Sequence, residues 1–152
     1  MLIFINAFLV GIASGLRSPT GLVAVSWAAH TGILTSDYTW LAFLGYSFTP
    51  YVLTFLAIGE LVNDKLSRTP NRLAPPGFIT RIVTSALCGL AIGLSDNGII
   101  VGLVAGIIGA VAGTFGGAKA RSLLARAFGR DMPAALPEDA IAVSIVAFAL
   151  CR

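Results

Sequence analysis

Six apolar runs alternate with short polar breaks along the chain: residues 2–16, 20–34, 40–63, 79–95, 98–118 and 135–151. Each is a candidate membrane helix, for which roughly 20 residues are needed. The third, fourth and fifth runs are long enough or nearly so. The first two are about 15 residues each, against that requirement of about 20, and only Arg17-Ser18-Pro19 separates them. Residues 2–34 therefore read in three ways: a tight hairpin of two helices, one long helix broken at Pro19, or two half-helices meeting inside the membrane. Proline removes a backbone donor and clashes with the preceding turn, which allows the first two. Free backbone at membrane depth is tolerated only where protein or water covers it. Pro50 predicts a kink within run 40–63.

Between the third and fourth runs lies the stretch that organises the rest. It begins Glu60-Leu-Val-Asn-Asp64-Lys65 and continues into a basic, proline-rich segment with Arg68, Pro70, Arg72, Pro75 and Pro76. Arg81 follows just inside the fourth run, and Lys119, Arg121, Arg126 and Arg130 precede the sixth. The opposite loops carry Asp37 and Asp96 and no Lys or Arg. Cytoplasmic loops carry the excess of Lys and Arg, so loops 64–78 and 119–134 are predicted to be cytoplasmic. With six helices Arg17 falls on that same side, and with five it lies near mid-membrane. The charge pattern prefers six.

Composition supports the membrane reading. The chain has 152 residues, 57% hydrophobic and 11% charged, with a mean hydropathy of +0.90. Soluble domains carry about 25% charged residues, and a soluble fold this small could not hide so much apolar surface. The expectation is an all-α, polytopic helical membrane protein with five to six transmembrane helices. It forms a single domain over residues 1–152, with the lipid bilayer of the cell inner membrane as its surroundings. No basic segment precedes the first run and no small-residue cleavage site follows it, so the N-terminus is expected to stay as the first membrane helix. The net charge of +3 comes without a basic stripe interleaved with aromatics, which argues against a nucleic-acid partner. Cys88 and Cys151 lie inside apolar runs and read as reduced, packed side chains lacking the partners of a metal site.

The runs carry internal echoes. Gly11-Ile-Ala-Ser-Gly15-Leu matches Gly89-Leu-Ala-Ile-Gly93-Leu at an offset of 89 − 11 = 78, and a polar turn follows each. Three helices per half would place the halves in opposite orientation, a 3+3 inverted repeat of the kind many transporters use. The halves would be 1–65 and 79–152, joined by a cytoplasmic loop 66–78. Against this, Gly, Ala and Leu are abundant enough here to match by chance. Gly109, Gly113 and Gly117 repeat the small-xxx-small spacing of Gly11/Gly15 and Gly89/Gly93. Small residues let helix backbones approach closely, either within one chain or between copies in a homo-oligomer. No Lys-Ser/Thr follows the glycines, so a phosphate-cradling loop is not indicated.

Four charged residues are candidates for an intramembrane path. Glu60 lies about one turn from the end of run three, and Asp64, four residues on, shares its helical face. Two acids on one face can hold a cation or a proton, and ionisable groups in membrane segments are functional candidates by default. The structural account is a salt bridge at the cytoplasmic interface to Lys65, Arg17, Arg81 or Arg121. Glu138 opens run six after Pro137, where acids complement the helix dipole; alternatively it meets Glu60 or a basic residue across the bundle. Arg17 sits at a break where free backbone donors could help hold an anion, or it marks an ordinary turn. His30 is alone and reads as structural. Trp27, Tyr38 and Trp40 read as an interfacial aromatic belt.

Three stretches together carry a family resemblance: Gly15-Leu16-Arg17-Ser18-Pro19; Gly59-Glu60-Leu61-Val62-Asn63-Asp64-Lys65 with Thr69-Pro70 and Ala74-Pro75-Pro76-Gly77; and Pro137-Glu138-Asp139-Ala140. They resemble the small bacterial membrane proteins grouped as domain of unknown function 4126, over nearly the whole chain. The resemblance implies a multi-pass bacterial membrane protein and brings no substrate or site residues.

No Ser/His/Asp set, His-rich metal site or nucleotide motif can be assembled, so neither an enzyme nor a cofactor is expected. The leading expectation is a small transporter or channel for an unknown solute or ion, with Glu60, Asp64, Arg17 and Glu138 along its path. The alternative is a membrane scaffold or accessory subunit that binds a partner through its Gly-rich helix faces.

Overall fold

The computed structural model describes residues 2–34, 40–65, 75–95, 97–128 and 132–150, with positions 61, 63–65, 121, 124–128 and 132–138 described by backbone alone. The chain is all-helical, and the described residues contain no strand. In order they form α1 (Leu2–Leu16), α2 (Ser18–His30), a 3-10 turn (Trp40–Gly45), α3 (Thr49–Lys65), α4 (Pro75–Ser95), α5 (Ile99–Phe128) and α6 (Met132–Leu150). Among the described residues two helical segments are long and apolar enough to cross a membrane: Pro75–Ser95 and Ile99–Ala120. α1 and the Asp139–Leu150 part of α6 are apolar but shorter.

Residues 2–34 form two helices that fold back on each other. Arg17 interrupts them with extended backbone (φ −143°, ψ 116°). Its N–H donates to the Ala13 carbonyl at 2.8 Å and closes α1. Pro19 then occupies the first turn of α2, where a missing N–H is tolerated. A Cβ built on Gly21 would run into the Ser14 hydroxyl. In one continuous helix those residues would stand about 10 Å apart along the axis, so the chain reverses at Arg17. This excludes the single broken helix.

Run 40–63 is not one kinked helix. A 3-10 turn ends at Gly45, and α3 begins only at Thr49. Thr49 Oγ1 donates to the Phe43 carbonyl at 2.6 Å. Pro50 therefore stands in the first turn of α3 rather than at a mid-helix kink, because proline is accommodated where no intrahelical N–H bond is required. Run 98–118 is also longer than expected. α5 continues to Phe128, so most of the expected loop 119–134 is helix, with α6 starting at Met132. Residues 129–131, and residues 66–74 of the other expected cytoplasmic loop, lie outside the described residues, as do Tyr38 and Cys151.

The centre of the bundle is α1, α4 and α5. α5 runs parallel to α1: Ile3 reaches Gly98, Gly11 meets Gly106, and Gly15 meets Gly113. It runs antiparallel to α4: Gly93 meets Gly98, Gly89 meets Gly102, and Ser85 meets Gly106. A Cβ added at any of Gly11, Gly89, Gly102 or Gly106 would come within 3.0 Å of a neighbouring carbonyl. Glycine is needed at these crossings because the backbones themselves are in contact.

Side-chain size is inverted relative to a soluble core. The largest fully buried side chains include Leu41, Leu44, Val10 and Val25, but also Thr114, Cys88, Ser14, Ser26 and Ser85. The exposed surface meanwhile carries Phe48, Phe55, Ile100, Val104, Phe115 and Phe148. A continuous belt of large exposed apolar side chains over a core of small ones is an arrangement that water disfavours.

Candidate functional site

The site is built where the α1–α2 reversal meets α6. Ala13 and Leu16 of the hairpin pack against Ala142 and Val146 of α6. Asp139 lies three residues before Ala142 and seven before Val146, so it projects from the same helical face. That register delivers its carboxylate to the reversal, where Arg17 Nε donates to Asp139 Oδ1. Arg17 is only 4% exposed and Asp139 21%. A charge buried this far is retained only when it is paired. The mutual attraction of such a pair roughly offsets the desolvation of its members, whereas removing one partner leaves an uncompensated charge.

The pair is recessed. Gly15 sits level with Gly113 and Thr114 of α5, so Arg17 falls near Phe115. The apolar segment of α5 runs on to Ala120, about 7 Å further along the axis. Two hydroxyls stitch the helices around this point. Thr114 Oγ1 donates to the Gly15 carbonyl at 3.2 Å, and Ser85 Oγ donates to the Gly11 carbonyl at 3.5 Å. Deeper in the bundle, Ser14 Oγ and Cys88 Sγ lie together beside Gly21, both fully buried.

The four path candidates are not gathered at one place by the described contacts. Arg17 is at the site, where Asp139 is a carboxylate partner; the side chain of Glu138 lies outside the described residues. Glu60 is half-buried on α3. Among the described residues that helix packs chiefly on α2 and the 3-10 turn. The side chain of Asp64 also lies outside the described residues. Gly11, Gly15, Gly89, Gly93, Gly109 and Gly113 all stand at helix crossings within the chain, and Gly117 is buried. His30 Nδ1 lies 3.2 Å from the Gly45 carbonyl oxygen, edge-on to Trp27. Among the described residues no three His, Cys, Asp or Glu side chains come together as a metal site.

Sequence reasoning missed Asp139, although a signal existed. Ala142 and Ala149 are small residues seven apart on α6, and both are buried. Val146, also buried, lies seven residues after Asp139 and so within about 20° of it around the helix.

Chemically the pair has two uses. Arg17 can take a carboxylate or phosphate oxygen if Asp139 yields its place. Asp139 can take a proton or a cation if Arg17 yields. No family model, no curated protein and no solved structure matches the chain.

Proposed function

We propose that the chain is a multi-pass protein of the inner membrane that moves a small solute or ion, with the Arg17–Asp139 pair on its path. The observation that carries this reading is that ion pair, buried inside a helical bundle whose large apolar side chains face outward. Ionisable residues at membrane depth are retained where they pair with one another or line a pathway.

On this reading the bundle has six spans, and the end holding Arg17 and Lys119 is cytoplasmic. α1 and α2, at about 22 and 20 Å, are shorter than a hydrocarbon core of about 30 Å. The deficit leaves the pair in a recess open to the cytoplasmic side. The 3+3 inverted repeat belongs to the same proposal. It is supported by the helix order, three and three, and by α1 and α4 lying antiparallel with Gly11 and Gly89 both against the Gly106 region. The resemblance to the domain of unknown function 4126 proteins fits a multi-pass protein and adds no substrate.

The Gly faces of α1, α4 and α5 pack on one another within the chain, which is why we favour transport over partner binding through those faces. If copies of the chain associate, they use other surfaces, and cross-linking in native membranes reads this out.

The test is a thermal-stability screen of detergent-purified protein against metal ions, organic acids and amines. Wild type, Asp139→Asn and Glu60→Gln would be compared, because a ligand of the native state raises its stability by mass action. The expected result is a solute that shifts wild type but not Asp139→Asn, and that crosses vesicles containing the wild-type protein. Folded wild type that answers to no solute, in vesicles as tight as empty ones, would reject transport.

A further inference from the structure

We propose that the C-terminal overhang of α5 is a collar that binds anionic phospholipid headgroups. The inference rests on the membrane reading above but not on transport.

The first observation is length. α5 has 30 residues, about 45 Å of helix, against a hydrocarbon core of about 30 Å. Its apolar segment ends at Ala120. The helix then continues through residues 121–128, about 12 Å, enough to cross the headgroup layer of about 5–8 Å on one side of a bilayer.

The second observation is charge. Lys119 is exposed, and Arg121 and Arg126 lie on the helical backbone beyond it. The sequence contains no Asp or Glu between Asp96 and Asp131, so this helix carries no acid to neutralise its own cations.

The third is their distribution around the axis. Lys119 and Arg126, seven residues apart, share one side of the helix, while Arg121 falls on the opposite side at 100° per residue. Leu123, exposed, lies nearer the Lys119 side. An amphipathic helix resting flat on a membrane would gather its cations on one face. Here the positions fall on two opposite sides of the axis, which suits a helix that stands upright through the headgroup layer and meets lipid on more than one side. Basic residues just cytoplasmic of a membrane helix are attracted to anionic lipids, each strengthening the association roughly fivefold.

The neighbouring elements add to the same end. Phe78 in the first turn of α4 meets Phe115 of α5 edge-on, so the start of α4 lies at the same end of the bundle, about 7 Å short of where the overhang begins. Lys65, Arg68 and Arg72 precede that start in the sequence.

The experiment uses purified full-length protein in maltoside micelles titrated with phosphatidylglycerol, phosphatidylcholine or inorganic phosphate, with thermal unfolding as the readout. Wild type is compared with K119Q/R121Q/R126Q and with the charge-preserving K119R/R121K/R126K. Phosphatidylglycerol is expected to raise the midpoint of wild type and of the charge-preserving variant. The glutamine variant should need on the order of a hundredfold more lipid for the same shift. Phosphatidylcholine and inorganic phosphate should leave every midpoint unmoved. If the triple glutamine variant does not fold, Arg126→Gln alone should shift the titration about fivefold.

Three outcomes overturn the collar: phosphatidylcholine acting as well as phosphatidylglycerol, phosphate alone reproducing the shift, or the glutamine variant responding like wild type. A wild type that is monodisperse without detergent would reject the membrane reading itself and the collar with it.

Discussion

The same substitution at two glycines of α5 should move stability in opposite directions. At Gly106 a new Cβ would lie 2.5 Å from the Ser85 carbonyl oxygen and 3.2 Å from the Gly89 Cα. Both neighbours are backbone atoms of α4, so no rotamer change relieves the clash, and α4 itself must move. Moving α4 also opens its other close contacts, Gly89 on Gly102 and Gly93 on Gly98. Overpacking of this kind costs about 1–3 kcal/mol, and alanine returns about 1 kcal/mol of helix propensity. Gly106→Ala should therefore be destabilised by about 0–2 kcal/mol. Gly116 lies on the same helix with nothing within 4 Å of its added Cβ. There only the propensity gain operates, and Gly116→Ala should be stabilised by about 0.5–1 kcal/mol. The assay is unfolding of the purified protein by sodium dodecyl sulfate in maltoside micelles, followed by Trp27 and Trp40 fluorescence. Equal midpoints for the two variants, or a more stable Gly106→Ala, would refute the backbone contact between α4 and α5.

Two further predictions concern the site and the core beneath it. Asp139→Asn takes one carboxylate from the buried Arg17 guanidinium and should lower stability by up to about 3 kcal/mol, the low end of the range for a broken buried pair, because Asp139 is partly exposed. Replacing both members, Arg17→Met with Asp139→Leu, should recover most of that loss; a double variant as unstable as Asp139→Asn would mean that the pair is not the source of the effect. Gly21→Ala should cost about 1–3 kcal/mol because the new methyl occupies the place of the Ser14 hydroxyl. Ser14→Ala in the same chain should restore the midpoint, and additive losses measured by the same unfolding assay would reject the contact.

The helical class, the approximate positions of the helices and the crossings that need glycine could be read from the residues, because long apolar runs and small-xxx-small spacings are local signals. The break before Thr49 was less legible. Pro50 is compatible both with a kink and with a helix start, and only the bond from Thr49 Oγ1 to the Phe43 carbonyl separates the two. The extension of α5 to Phe128 was hidden by charge: Lys119 and Arg121 end the apolar run without ending the helix, since both are good helix formers. The site was half legible. A lone arginine between two apolar runs drew attention to itself, but its partner depended on the rotation of α6. That helix is apolar nearly all round beyond its first turns, so nothing local says which side faces the bundle. Asp139 stands seven residues before Val146, on the same side of the helix, and Val146 packs against Ala13 and Leu16 of α1.

The parallel pairing of α1 with α5 has a consequence for how the chain is made. Gly15 rests on Gly113, and the two are separated by nearly a hundred positions in the order of synthesis. At about 5–20 residues per second, α1 waits on the order of 5–20 seconds before the surface it fits exists. During that interval α1 and α2 have only each other and, later, α3 and α4. The first half of the chain is thus held in a provisional arrangement, and the antiparallel α4–α5 pair completes it from behind. A message truncated before α5 would yield helices whose glycine faces have nothing to close upon, a product for quality-control proteases rather than a half-protein.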